Sequence, residues 1–146
     1  MSIVVDANLV IAVVLPLPYS EHAWRMMSTW KQARETLYAP VLWEYEAANT
    51  LRKASVAGLL STAEATNALQ RMLALNIQSV QPTLDLHQDA LKWAERLGQS
   101  RAYDAHYIAL AQSLGAAFWT GDKRLANSMQ HLGANWVYWV QDETGG

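Results

Sequence analysis

A chain of 146 residues is long enough for one domain with a buried core and too short for two, so we expect a single domain over residues 1–146. Hydrophobic residues make up 51% of the chain, which argues against disorder, and the lack of cysteine excludes disulfides, thiolate metal sites and cysteine nucleophiles. The formal charge of −2 is not the basic footprint expected of a nucleic-acid binder.

The amino-terminal segment does not resemble a targeting signal. It has no basic region before its apolar run, and Asp6 interrupts that run almost at once. Pro16 and Pro18 end the longest apolar stretch well short of the roughly 20 residues that a membrane span needs. We therefore expect a soluble, cytoplasmic protein with no membrane contact.

Short apolar runs alternate along the chain with longer stretches of helical period. Five runs predict buried strands, at residues 3–5, 37–39, 77–80, 117–119 and 136–139. Helices are predicted from residue 20, over about 41–58, from residue 61, and over 85–98, 103–115 and 122–132. Ser61 and Glu64 form a capping-box pattern, and Gly98 and Gly115 suit helix ends. This alternation predicts an α/β fold with a mostly parallel sheet of about five strands.

Four acidic residues fall at or near one edge of that sheet. Asp6 comes directly after a predicted strand and Asp122 lies just past another, while Asp104 opens a helix and Glu46 lies in the first turns of a further one. Ligands of open parallel sheets bind at the carboxyl ends of the strands. Clustered carboxylates repel one another unless a cation joins them, and oxygen ligands favour Mg²⁺ or Mn²⁺.

Each acid also has an ordinary structural explanation. Asp6, Asp104 and Asp122, taken singly, could simply cap helices, since aspartate is favoured at helix amino termini. Glu44 competes with Glu46 for the site, but the two lie about 200° apart on a helix and cannot share a face. We choose Glu46, because it continues into a polar stripe.

The same positions carry a family resemblance. The segments Val-Asp-Ala-Asn at 5–8, Glu-Ala-Ala-Asn at 46–49, Tyr-Asp-Ala-His at 103–106 and Thr-Gly-Asp-Lys at 120–123 resemble the signature of PIN domains. They are especially similar to the VapC toxins of bacterial toxin–antitoxin pairs, and the resemblance runs from residue 3 to about residue 140. It implies the three-layer α/β/α architecture of that family.

The resemblance also implies a function. Asp6, Glu46, Asp104 and Asp122 would be the catalytic acids that hold Mg²⁺ or Mn²⁺. Asn8, Asn49 and Thr120 would support them. Members of the family are usually homodimers that cut RNA and are neutralised by a small antitoxin protein.

A metal site of this kind predicts hydrolysis of a phosphodiester by metal-activated water, without a covalent intermediate. Lys53, Arg101, Lys123 and Arg124 lie near the acids in sequence and are candidates for RNA phosphate contacts, with a solvated surface role as the alternative. Setting the four acids aside leaves nine acidic residues against eleven basic ones, so the net charge does not exclude an RNA substrate.

Other functions remain to be weighed. A haloacid dehalogenase-type phosphatase would need a second aspartate where Asn8 stands, and a receiver domain would need an aspartate that ends the third strand, where Val80-Gln81-Pro82 offers none. The strongest alternative is a non-catalytic PIN domain that binds RNA or protein. The helix with Trp24 and Trp30 is the candidate contact for a second copy or an antitoxin.

Overall fold

The computed structural model of the chain describes residues 2–142 and contains one parallel sheet. Its strands are β1 Ser2–Val5, β2 Thr36–Pro40, β3 Gln78–Val80, β4 Ala117–Thr120 and β5 Val137–Trp139, in the spatial order β3-β2-β1-β4-β5. Every neighbouring pair is parallel, and β1 lies at the centre. The five predicted strands are confirmed, except that Ile77 and Trp136 lie just outside β3 and β5.

Seven helices connect and cover the strands within the described residues. They are α1 Ala7–Val14, α2 Ser20–Gln32, α3 Leu42–Val56, α4 Thr62–Leu73, α5 Leu84–Leu97, α6 Tyr103–Leu114 and α7 Lys123–His131. The capping box is present, with the Ser61 hydroxyl and the Glu64 carboxylate each accepting a backbone N–H of the other residue at 3.0 Å. None of these helices is long and apolar enough to cross a membrane.

Helix α1 was missed by the sequence analysis. All of its residues except Asn8 are apolar, and most are buried, so it has no polar face from which a helical period could be recognised. It follows β1 after Asp6 alone and packs against α2, α3 and α4. Because α1 begins at Ala7, its packing against these helices fixes the position of the carboxyl end of β1 and of Asp6.

The sheet is covered on both faces, as expected of an α/β/α protein. Val4 and Val5 are successive residues of β1 that point to opposite faces, and both are fully buried. Helix α6 packs on β1, β2 and β4, with α5 outside it.

The core includes Trp30, which is 5% exposed and packs edge-on against Trp119 at 5.7 Å between ring centroids. The expectation that Trp30 takes part in a contact with another protein is therefore wrong, whereas Trp24 is 52% exposed.

Candidate active site

The site is built where the chain changes direction across the sheet. The connection from β1 leads to β2 on one side, while β4 pairs with β1 on the other. In such sheets a crevice opens beyond the carboxyl ends of the two strands that flank the change. The backbone N–H of Asp6 donates to the carbonyl of Trp119 at 3.0 Å, so β1 and β4 remain joined up to this edge.

Asp6 is a buried carboxylate, 5% exposed, at the end of β1. The Thr120 hydroxyl donates to its Oδ2 at 2.7 Å. Burial raises the pKa of Asp6 to about 7, and the negative charges of Asp104 and Glu46 add to this effect, against the opposing influence of the Thr120 bond. Among residues 2–142 no lysine or arginine forms an ion pair with this carboxylate. A buried charge without an opposite charge is costly, so the pocket is suited to a cation.

The turn after β4 is connected to Asp6 by a chain of hydrogen bonds. The backbone N–H of Asp122 donates to the Thr120 hydroxyl at 3.0 Å, and the N–H of Gly121 donates to the side-chain carbonyl of Asn8 at 3.0 Å. Asn8 and Thr120 thus link this turn to Asp6 and to the start of α1, and the supporting role that the resemblance implies for them stays a prediction. Together they hold the ends of β1 and β4 in one fixed arrangement.

Asp122 has the structural role that its position suggested. Its Oδ1 accepts the backbone N–H groups of Arg124 and Leu125 at 3.0 and 3.2 Å, which caps α7. Its negative charge also raises the pKa of Asp104. Asp122 therefore caps a helix with one carboxylate oxygen and adds charge to the acidic site at the same time.

Glu46 receives a hydrogen bond that the sequence analysis did not foresee. The Tyr107 hydroxyl donates to Glu46 Oε1 at 2.6 Å, across 61 residues of sequence. Burial, followed by the charge of Asp104, raises the pKa of Glu46, while the bond from Tyr107 lowers it. Tyr107 is fully buried, and its hydroxyl also accepts the backbone N–H of Ala7. The spacing of three residues between Asp104 and Tyr107 indicates that both lie on one face of α6, but it does not predict the bond to Glu46.

Asp104 lies in the first turn of α6 at the edge of an open cleft. Burial, followed by the charge of Asp122, raises the pKa of Asp104, and a hydrogen bond from the Gln99 side chain lowers it. The cleft has a volume of about 500 Å³ and is lined by Glu46, Tyr103, Asp104 and residues 98–101. Substrate can therefore approach the acids from the loop between α5 and α6.

The choice of Glu46 over Glu44 agrees with this geometry. Glu44 accepts a hydrogen bond from the Ser79 hydroxyl at 3.1 Å, and Ser79 in turn accepts one from the Trp43 indole at 2.9 Å. These contacts tie Glu44 to β3, whereas Glu46 interacts electrostatically with Asp6 and Asp104.

The acids are neighbours, but they do not form a closed cage. Within residues 2–142 no three acidic or histidine side chains already stand in the positions needed to hold a metal ion. Mutual charge repulsion nevertheless links all four acids, through Asp6 with Asp104 and Glu46, and through Asp104 with Asp122. The arrangement is an open acidic pocket, which suits a hydrated cation better than a dehydrated one.

The remaining candidate residues differ in how near they lie to the acids. Arg101 lines the cleft beside Glu46 and Asp104. The Lys123 ammonium lies 4.9 Å from the centre of the Trp139 ring. Asn49, Lys53 and Arg124 have exposed side chains, and among the described residues these side chains form no hydrogen bond or ion pair with the four acids. The geometry therefore brings Arg101 to the site and leaves these three at its periphery.

Two histidines that lie 19 residues apart in the sequence are in contact. His87 Nδ1 and His106 Nε2 lie 2.7 Å apart, and His106 Nδ1 lies 2.6 Å from the carbonyl of Ala102. The pair borders an apolar groove lined by Pro40, Val80 and Tyr103, among others. None of the three acids with raised pKa is influenced by a histidine, so the pair does not belong to the acidic site.

Comparison with known proteins places this geometry in a family. The family model for the PIN domain matches residues 4–134. Ribonuclease VapC3 from Pyrobaculum aerophilum is 38% identical over 136 residues, which cover 90% of this chain and 98% of that protein. The crystal structure of PAE2754 from the same organism covers 97% of this chain and 85% of its own, with a TM-score of 0.71 and 25% identity. VapBC2 from Rickettsia felis, solved bound to a DNA fragment from their promoter, has a TM-score of 0.70, 10% identity and coverage of 95% and 98%, and so supports the fold.

Proposed function

The chain belongs to the PIN-domain family, with VapC ribonucleases among its relatives, and from this premise we propose that it is a metal-dependent endoribonuclease that acts as the toxin of a toxin–antitoxin pair. The observation that carries the proposal is the buried Asp6 carboxylate, which has no positive partner among the described residues and faces the charges of Glu46 and Asp104. A structural cap would not need three acids with raised pKa values in one pocket.

The pocket fits Mg²⁺ or Mn²⁺ by the chemistry of its donors. Asp6, Glu46, Asp104 and the free oxygen of Asp122 are all carboxylate ligands, which these hard cations prefer. Mg²⁺ commonly keeps several of its waters and uses only one or two carboxylates, so a closed protein cage is not required. When bound, the cation would activate a water for attack on phosphorus and neutralise charge on the phosphate.

The protein's own residues would orient the reactants. Thr120 fixes the Asp6 carboxylate, and Tyr107 occupies one oxygen of Glu46, leaving the other for the cation. Asn8 holds the turn at Gly121, and we propose that Asn49 adds to this support at the outer end of the site. Arg101 would contact RNA phosphates in the cleft, with Lys53, Lys123 and Arg124 along the RNA on either side.

The same proposal includes protein partners. The solved structures of similar fold include a toxin–antitoxin complex from Klebsiella pneumoniae and VapBC-1 from nontypeable Haemophilus influenzae. We propose that a small antitoxin protein neutralises this chain and that it forms a homodimer. The contact suggested for α2 now rests on its exposed Trp24, since Trp30 belongs to the core.

Cleavage of single-stranded RNA tests the catalytic proposal. With Mg²⁺ or Mn²⁺ the wild type should cleave, and EDTA should abolish cleavage. Asp6→Asn and Asp104→Asn should each lower the rate by several orders of magnitude, because each removes a charged ligand at nearly constant volume. Asp85→Asn is the matched control, since Asp85 is an exposed acid in the first turn of α5 and should leave the rate unchanged. Undiminished cleavage by Asp6→Asn would reject the assigned site.

Growth of a bacterial host tests the toxin proposal against a non-catalytic PIN domain. Expression of the wild type alone should arrest growth, and Asp6→Ala should relieve the arrest at equal protein level. Equal growth of both strains would favour a PIN domain that binds RNA or protein without cutting it.

A further inference from the structure

A tyrosine that the catalytic proposal does not use stands beside the acids. Tyr19 comes directly before α2, at the end of the connection from α1. Ser20 fixes this connection, because its hydroxyl donates to the carbonyl of Leu15 and accepts the N–H of Leu17, each at 2.8 Å. Pro16 and Pro18 further restrict the backbone of the same segment. Tyr19 is therefore held in place before any substrate arrives.

The Tyr19 ring lies against the turn that links Thr120 to Asp122. A Cβ atom at Gly121 would lie 2.7 Å from the ring carbon Cζ and 2.8 Å from the hydroxyl oxygen. Gly121 does not have the positive φ that would otherwise explain a glycine. A side chain at this position would force the Tyr19 ring to move, because the ring occupies the space above Gly121. The phenol ring of Tyr19 thus packs on the turn that carries Thr120 and Asp122.

The hydroxyl of Tyr19 is weakly engaged and remains a donor. Its contact, the carbonyl oxygen of Asn8, lies 3.4 Å away, which is long for an O–H···O hydrogen bond. The side chain is only half-buried, so part of it is accessible to a ligand. Burial raises the pKa of Tyr19, as do the charges of Asp6 and Asp122, and the phenol therefore keeps its proton.

A phosphate that enters an acidic pocket needs hydrogen-bond donors that do not compete with the cation. A lysine or arginine among the carboxylates would pair with them, and within residues 2–142 none does so. A neutral hydroxyl avoids this competition while still stabilising charge on a phosphate oxygen. Tyr19 is a residue of this kind, adjacent to Asp6 and Asp122 and fixed by its own loop.

We propose that Tyr19 is a catalytic residue whose hydroxyl donates a hydrogen bond to a non-bridging oxygen of the RNA phosphate that is cleaved. This assignment rests on the proposed ribonuclease function. The hydroxyl exchanges its long contact with the carbonyl of Asn8 for the phosphate oxygen, and the proton stays on the tyrosine. The bond strengthens as negative charge grows on that oxygen, so it acts on the rate more than on binding.

Tyr19→Phe is the direct test, because it removes the hydroxyl and keeps the ring that packs on Gly121. We expect kcat to fall by about 10- to 100-fold, a smaller change in KM and an unchanged melting temperature. Tyr38→Phe is the matched control, since Tyr38 lies within β2, away from the site, and should leave kcat unaltered.

RNA with sulfur in place of one non-bridging oxygen at the cleaved phosphate provides a second readout. In one of the two stereoisomers, sulfur should slow the wild type more than it slows Tyr19→Phe, because the variant has already lost the bond to that oxygen. Wild-type kcat in Tyr19→Phe would overturn the assignment, as would an equal sulfur effect in both proteins. A wild type that cleaves no RNA with either metal would instead overturn the proposed function, and the Tyr19 assignment with it.

Discussion

The two sides of the acidic site are built differently. On the β4 side, Asp6, Asn8, Thr120 and Asp122 belong to one connected set of hydrogen bonds between 2.7 and 3.2 Å. On the α6 side, Asp104 borders an open cleft. Its carboxylate accepts a hydrogen bond from the side chain of Gln99, which lies in the loop that lines this cleft. One side is fixed by the fold, and the other is left open to a ligand. A binding site needs side chains that are held in position and an entrance that a bound molecule can use. In this chain the β4 side supplies the first and the α6 side supplies the second.

The strongest test of the fixed side is its dependence on pH. Without metal, Asp6 has a pKa of about 7 when folded, against 3.8 as its ordinary value. The folded protein therefore binds more protons at Asp6 than the unfolded chain does, so the stability that Asp6 contributes should be fully present below about pH 4 and should be lost as pH rises to about 7. The shift corresponds to about 4 kcal/mol at most. Urea unfolding in EDTA over this range, for the wild type and Asp6→Asn, measures it.

Asp6→Asn should show a shallower loss of stability across that range, because only Glu46 and Asp104 still contribute raised pKa values. Millimolar Mg²⁺ should restore stability to the wild type at pH 7 and above, and less so to the variant. Parallel curves for the two proteins would mean that Asp6 is not the buried, uncompensated charge described above.

Tyr107→Phe should sharpen the contrast between the two sides. It leaves Glu46 and the N–H of Ala7 without their shared partner, so the free energy of unfolding should fall by about 1–3 kcal/mol. Cleavage should fall further than this loss explains at temperatures where the variant is folded, since Glu46 is no longer oriented. Thermal melts together with the rate at saturating Mg²⁺ separate the two effects. A folded variant with wild-type cleavage would show that the bond serves packing alone.

The smallest effect is expected on the open side. Arg101→Gln should raise KM for RNA several-fold and weaken its dependence on salt, with kcat nearly unchanged, because the side chain would contact phosphate without taking part in the reaction. Arg71→Gln on α4 is the control for the loss of one exposed positive charge. Equal salt dependence in wild type and Arg101→Gln would remove Arg101 from the RNA-binding surface.

Much of the fold follows from local patterns in the sequence. Short β-branched runs such as residues 3–5 predict buried strands, and the capping box at Ser61 predicts a helix start. Helix α1 could not be recognised, because a helix buried on nearly all sides has no contrast between faces. Trp30 was misjudged for a related reason, since its amphipathic helix indicates which face is apolar but not what covers it.

The candidate site was predictable only in part. Asp6 and Asp122 stand out because they lie just past the carboxyl ends of β1 and β4, and this edge of a parallel sheet is a known ligand position. Tyr107 and Tyr19 did not stand out, because their roles depend on contacts made across the fold. The Tyr107 hydroxyl reaches a residue 61 positions away, and the Tyr19 ring meets Gly121 from a loop near the other end of the chain. The spacing of apolar residues along a helix or strand does not indicate which distant residues come into contact.

The bond between Thr120 and Asp6 joins residues 114 positions apart. A ribosome makes the chain from its amino terminus, so Asp6 emerges long before the strand that completes its surroundings. A nascent chain that stops before β4 would have β1 as an edge strand and would lack both Thr120 and Asp122. Unfinished translation products therefore cannot assemble the site. If the protein is the toxin proposed here, the cell that makes it meets the activity only after β4 and Asp122 have been synthesised, which leaves the preceding time of translation for a neutralising partner to accumulate.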